Sequence, residues 1–134
     1  MTIISRLTPY QQSLSGQACG GAARDDKRRR SRISLNIHAD DRHTYFDQYR
    51  TLEAWAAGTA VVTETTGGLA DWGIVPETHL VMADLPYLPE VCTELLADTT
   101  RRERITQAAQ ELLRAQFSPQ RWRRKMLSVL ENIP

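Results

Sequence analysis

Apolar and polar residues change period several times along the chain, and each change marks an element. Ile33, Leu35 and Ile37 alternate with Ser34, Asn36 and His38, the two-residue period of a strand. After a polar loop from Asp40 to Thr44, Phe46, Tyr49, Leu52 and Ala56 recur at helical spacing. Gly58 stands where such a helix should stop, because a left-handed residue there satisfies the last carbonyls without a Cβ clash. Ala60, Val61 and Val62 form a short unbroken apolar run, as in a strand buried on both faces, and Glu64 to Gly68 close it. Strand, helix and strand in that order predict a right-handed βαβ unit with parallel strands. The strand carboxyl ends then lie side by side, so His38 and Asp40 face one crevice with Glu64 to Gly68, where open sheets bind ligands.

Downstream the pattern is mainly helical. His79 to Ala83 predicts a third strand, closed by Asp84. Pro89 suits the first turn of a helix with Val91, Cys92, Leu95 and Leu96 as its apolar stripe. Thr100 and Glu103 have capping-box spacing ahead of a strongly periodic helix. Its expected buried face is Ile105, Ala108, Ala109, Leu112 and Leu113, and it ends near Phe117. Ser118 and Pro119 start a last helix with Trp122, Met126, Leu130 and Ile133 along one side. Arg121, Arg123, Arg124 and Lys125 cluster near its start. That helix reads either as a solvated terminal helix or as a peripheral contact with a membrane surface or anionic partner.

The first 32 residues carry less pattern. Thr2 to Leu7 predicts a short strand, Tyr10 to Gly21 is polar and Gly/Ser-rich, and Arg24 to Arg32 reads as a solvated charge run in a linker. The expected organisation is a poorly ordered basic segment over 1–32 and an α/β domain over 33–134.

A length of 134 residues suits one domain, and 41% hydrophobic with 25% charged residues suits a soluble one. Net charge is only +1 although Arg24 to Arg32 is locally +4. With no recognition motif, a nucleic-acid partner is not expected. Cys19 and Cys92 are far apart with no CxxC, so no bound metal is expected and a reducing compartment suits the chain. No apolar run reaches transmembrane length, and Arg6, Pro9 and Gln11 interrupt any leader, so a cytoplasmic location is expected.

Three features carry candidate chemistry. The backbone N–H groups of Gly67 and Gly68 are unshielded by side chains, which admits an anion such as a diphosphate, although a Gly pair also simply makes turns. Glu53 falls on the stripe of Tyr49 and Ala56, where a carboxylate is either paired or presented to a ligand. His38 at a strand end is a hydrogen-bonded cap or a ligand contact, and Asp71 reads as a helix-start residue.

In order and spacing these residues resemble the carboxyl-terminal, donor-binding domain of GT-B glycosyltransferases, in particular the group 1 and CgeB-like branches. The resemblance rests on LNIH (Leu35 to His38) and YRTLEAWAAGTAVVTE (Tyr49 to Glu64), with R-x-x-E-A-x-A-x-G at Arg50, Glu53, Ala54, Ala56 and Gly58. TTGGLAD (Thr65 to Asp71) is similar to the loop that bacterial glycogen synthases place over the donor diphosphate. LLAD (Leu95 to Asp98) and RRERITQAAQELLRAQFSPQRW (Arg101 to Trp122) extend the match over roughly residues 33 to 131.

The resemblance implies a partial Rossmann-like fold with a small parallel sheet and a helical carboxyl-terminal third. It implies a nucleotide-sugar donor as substrate, with no further cofactor and no protein-bound metal. Glu53 would accept hydrogen bonds from the ribose hydroxyls, and the Gly67 and Gly68 N–H groups with the Thr66 hydroxyl would hold the diphosphate or sugar. Glu64 and Arg50 would be second contacts, and His38 would face the sugar. Retaining members often carry Glu-x7-Glu, but the position eight before Glu53 is Tyr45 and the nearest carboxylate is Asp47. Catalytic residue and stereochemistry therefore stay unassigned. Residues 1–32 do not read as the βα unit that supplies the usual diphosphate clamp, and no acceptor domain is expected on this chain. A truncated or split enzyme, completed by an acceptor domain in trans, is the expectation. The alternative is a non-catalytic protein-interaction module that keeps the fold and uses its basic tail or last helix.

Overall fold

A computed structural model describes residues 21–38 and 45–131. The expected strand at Thr2 to Leu7, Cys19, the loop from Asp40 to Thr44 and Ile133 lie outside these residues. The described chain runs α1 (Gly21–Arg30), β1 (Ile33–Asn36), α2 (Gln48–Ala56), β2 (Ala60–Glu64), β3 (Val81–Ala83), α3 (Leu88–Ala97), α4 (Thr99–Phe117) and α5 (Pro119–Glu131). Short 3-10 turns at Ala70–Trp72 and Leu85–Tyr87 complete it.

The three strands form one parallel sheet in the order β1-β2-β3. Ile33 pairs with Ala60 and Asn36 with Thr63, while Val62 pairs with Val81. Alternate residues of β2 therefore feed two cores, as the pleat demands. Ala60 and Val62 join Ile33, Val81, Leu88, Cys92, Leu95 and Ile105 on one side. Val61 joins Phe46, Ala54, Trp55, Leu69, Ile74, Leu80 and Ala109 on the other. This is the small α/β, partial Rossmann-like sheet with a helical carboxyl-terminal part that the sequence implies.

Helix α4 ties the layers together. It gives Ile105 to one core and Ala109 to the other. Gln110 Nε2 donates to the Trp55 carbonyl, and Arg102 Nη1 donates to the Leu95 and Leu96 carbonyls. Thus α4 satisfies carbonyls near the ends of α2 and α3. Both helices follow the carboxyl end of a strand, so α4 lies toward the amino ends of the strands and leaves their carboxyl ends to loops. A stacked Trp72–Phe117 pair, with centroids 5.7 Å apart, fastens the segment after Gly68 to the end of α4.

Three sequence expectations are corrected. The charge run is not a solvated linker: α1 is a helix. Asp25 and Asp26 pair with Arg28 and Arg30, and four basic residues occupy the last turn, where the helix dipole favours them. Ser31 Oγ donates to the Lys27 carbonyl, and Thr59 Oγ1, fully buried, donates to the Arg28 carbonyl at 2.9 Å. On α2 the buried face is Thr51, Ala54 and Trp55, whereas Tyr49 is 66% exposed and Ala56 is exposed. The expected stripe is rotated because Trp55, absent from it, fills the centre of the core. Finally, α4 is capped by Asp98, whose Oδ1 accepts from Arg101 N at 2.9 Å, two residues earlier than the Thr100 box.

Candidate functional site

Parallel pairing places the ends of β1 and β2 together, and the polar residues that follow them meet there. His38 Nδ1 and its backbone N–H both contact Glu64 Oε1. His38 Nε2 lies 3.1 Å from the Tyr45 carbonyl oxygen. Both ring nitrogens thus face acceptors, and each is a donor when the imidazole is protonated. Tyr45 runs beside Gly67 in a parallel bridge, and Phe46 N–H donates to the Gly67 carbonyl at 3.1 Å. The loop after β1 therefore returns to lie against the glycine loop after β2.

Gly68 has φ +79°, the left-handed region, and a Cβ there would stand 2.4 Å from Tyr45 Cζ. Two independent constraints require glycine: the backbone twist and the phenol ring over it. The Tyr45 hydroxyl donates to Asp71 Oδ2 at 2.8 Å, which pins the ring across the loop. That hydrogen bond and the nearby charge push the Tyr45 hydroxyl pKa up. Asp71 lies in the middle of the 3-10 turn Ala70–Trp72, whose N-cap is Leu69, so its carboxylate holds the Tyr45 hydroxyl and does not cap a helix as the sequence suggests.

Arg50 borders the same edge. Its Nε donates to Asp47 Oδ2 at 2.7 Å and its Nη1 to the Ile37 carbonyl at 3.4 Å. Asp47 also caps α2 through Arg50 N. Just beneath, Asn36 ends β1 at 2% exposure, and neither atom of its amide has a hydrogen-bond partner among the described residues. The buried Thr51 hydroxyl is in the same condition. Unpaired buried polar groups cost stability, so they concentrate where something else must be met.

Of the seven sequence-derived site residues, His38, Glu64, Gly67 and Gly68 come together, Arg50 lies at their rim, and Thr66 belongs to the same loop. Glu53 does not point freely into this group. It is gripped by α1: Oε1 accepts from Arg24 Nη2 at 3.1 Å, and Oε2 lies 2.5 Å from Arg28 Nη2, close but outside hydrogen-bond geometry. Arg28 is 7% exposed, while about a fifth of the Glu53 side chain remains open. Helix α2 nevertheless carries Glu53 on the same side of the sheet as Phe46 and Leu69, which flank the glycine loop.

Sequence reasoning missed Arg24, Arg28, Tyr45 and Asn36. Arg24 and Arg28 were legible as an i,i+4 pair on one helix face. Tyr45 left no signal, since its role depends on the return of a loop. Among the described residues no cluster of His, Cys, Asp or Glu suits a metal ion, and no helix is long and apolar enough to cross a membrane. At the opposite end of the sheet, Gly58, Arg29, Arg32 and Arg102 line an open basic groove of about 360 Å³.

The profile of a family described as glycosyl transferase-like matches residues 26–128, from within α1 into α5. No curated protein matches the chain at a significant level.

Proposed function

Since this chain belongs to the glycosyl transferase-like family, we propose that it binds the nucleotide-sugar donor of a glycosyl transfer at the carboxyl ends of β1 and β2. The observation that carries this reading is the meeting of His38 and Glu64 beside the Gly67–Gly68 loop, at the carboxyl ends of two parallel strands. Glycosyl transfer breaks the bond between the anomeric carbon and the diphosphate, so negative charge grows on the leaving oxygens. The Gly67 and Gly68 N–H groups and the Thr66 hydroxyl supply donors for that charge, and Arg50 supplies a nearby cation. Glu53 accepts the ribose hydroxyls with the lone pairs that Arg24 and Arg28 leave open, and the two arginines fix its orientation. His38 and Glu64 face the sugar. An acceptor-binding domain completes the cleft.

Calorimetric titration with UDP-, GDP-, ADP- and dTDP-sugars tests this. One of them gives binding heat, and Glu53→Ala weakens it by about tenfold or more. Absence of heat with all four, or binding heat that Glu53→Ala leaves unchanged, overturns the reading. The prior engagement of Glu53 by two arginines favours one rival, an interaction module that uses this fold without sugar chemistry. Partner binding would then fall steeply with salt and survive Glu53→Ala.

A further inference from the structure

Helix α5 is unlike the others. None of its residues is buried, and its principal contact is with α4, from which Ser118 separates it. Yet it is strongly amphipathic. Trp122, Met126, Val129 and Leu130 share one side, all about half exposed, with Leu127 beside them. At one hundred degrees per residue, Lys125 falls at one edge of that side and Arg123 at the other, while Arg121 and Arg124 stand opposite. Four basic residues and one acidic residue, Glu131, make the helix net positive. The Lys125 ammonium lies 5.5 Å from the Trp122 ring centroid, so the indole and the cation share one boundary.

From this arrangement we propose that α5 lies flat on an anionic lipid surface, its Trp122, Met126, Val129 and Leu130 side immersed at the headgroup boundary. Charge chooses this occupant over a second copy of the chain. Two such helices face to face bring eight basic side chains together, whereas an anionic bilayer neutralises them. Basic residues at both edges of the apolar side place their ammonium and guanidinium groups at phosphate level while their stems stay in the apolar layer. Thirteen residues give a helix of about 20 Å, too short to span and sufficient to lie in the interface. The inference does not depend on the sugar reading, because no residue of the glycine loop takes part.

The test is flotation of the full chain with vesicles of pure phosphatidylcholine and with vesicles containing one-third phosphatidylglycerol. The chain floats with the anionic vesicles only, and Trp122 emission shifts to the blue; Trp122→Phe identifies the signal against Trp55 and Trp72. Each basic residue near the surface contributes about fivefold to partition, so Arg123→Ala with Lys125→Ala weakens it by roughly twenty-five-fold. Met126→Ser with Leu130→Ser abolishes it. These side chains are exposed, so circular dichroism of the variants remains that of the parent. No partition into anionic vesicles, or equal partition into both kinds, overturns the proposal. So does concentration-dependent dimerisation in lipid-free solution that Met126→Ser with Leu130→Ser removes, since the apolar side would then be the seat of a second copy.

Discussion

Arg28 reaches across from α1 to place its guanidinium 2.5 Å from the Glu53 carboxylate on α2, and it does so almost wholly buried. A helix with no apolar stripe is thereby joined to the fold through charge. Removing Arg28 leaves α1 held to α2 by the Arg24–Glu53 pair alone, beside backbone anchors such as the Thr59 hydroxyl on the Arg28 carbonyl. Arg28→Ala should lower stability by about 1–3 kcal/mol in urea unfolding, a loss moderated by the partial exposure of Glu53. A cycle with Glu53→Gln should return a coupling of about 1 kcal/mol. A loss below about 0.5 kcal/mol with no coupling would mean that the pair does not hold α1.

The contact between Tyr45 and Gly68 makes a sharper prediction about the loop. Gly68→Ala combines a left-handed backbone with a methyl group inside the Tyr45 ring, and should cost about 2–3 kcal/mol. Tyr45→Ala in the same chain should restore the steric part and leave about 1 kcal/mol from the backbone. Thermal unfolding of the two variants separates the contributions. Equal losses with and without the ring would show that Tyr45 does not cover the loop.

His79 accepts a hydrogen bond from Val75 N–H on Nδ1 at 3.0 Å, which requires that nitrogen to be unprotonated. Burial, the main cause, pushes its pKa below the ordinary 6.5. A lowered folded value means the unfolded chain takes the proton first as pH falls. The contribution to stability is therefore complete above 6.5 and is lost as pH drops from there through the folded value, below which the loss levels off. His79→Asn, which keeps an acceptor but does not titrate, should flatten that portion of a stability–pH profile. An unchanged slope would contradict the assignment.

Much of the fold was legible because periodicity reports burial directly. Ile33, Leu35 and Ile37, then Ala60 to Val62, gave two strands, and Gly58 ended the helix between them with φ +77° as a left-handed residue should. Proline at the start of α3 and Ser118 ahead of Pro119 marked real boundaries. What periodicity could not show was burial carried by charge. Arg28 is as buried as the core residue Leu69, yet RDDKRRRSR has the composition of a solvated run. The same limit applies to α2, where Thr51 faces the sheet and Tyr49 faces water, against their polarity. In the site, strand ends and glycines were readable from order alone. The Tyr45–Asp71 strap over Gly68 and the Arg24–Glu53–Arg28 grip were not, because each joins segments brought together only by tertiary structure.

Cys92 is a 4% exposed thiol whose pKa burial pushes up. In a Cys19→Ser background, native protein should react with a thiol reagent about a hundredfold more slowly than unfolded protein, and labelling should track urea unfolding. Rapid labelling of the native chain would place Cys92 outside the core shared by α3 and the sheet.

The most direct test of the donor site is amide chemical-shift mapping of the labelled chain during titration with the nucleotide-sugar that gives binding heat. Shifts centred on the amides of Thr66, Gly67 and Gly68, with further change around His38 and Glu53, are the predicted result. Shifts confined to the basic groove around Arg29, Arg32 and Arg102, with the glycine loop unmoved, would contradict it.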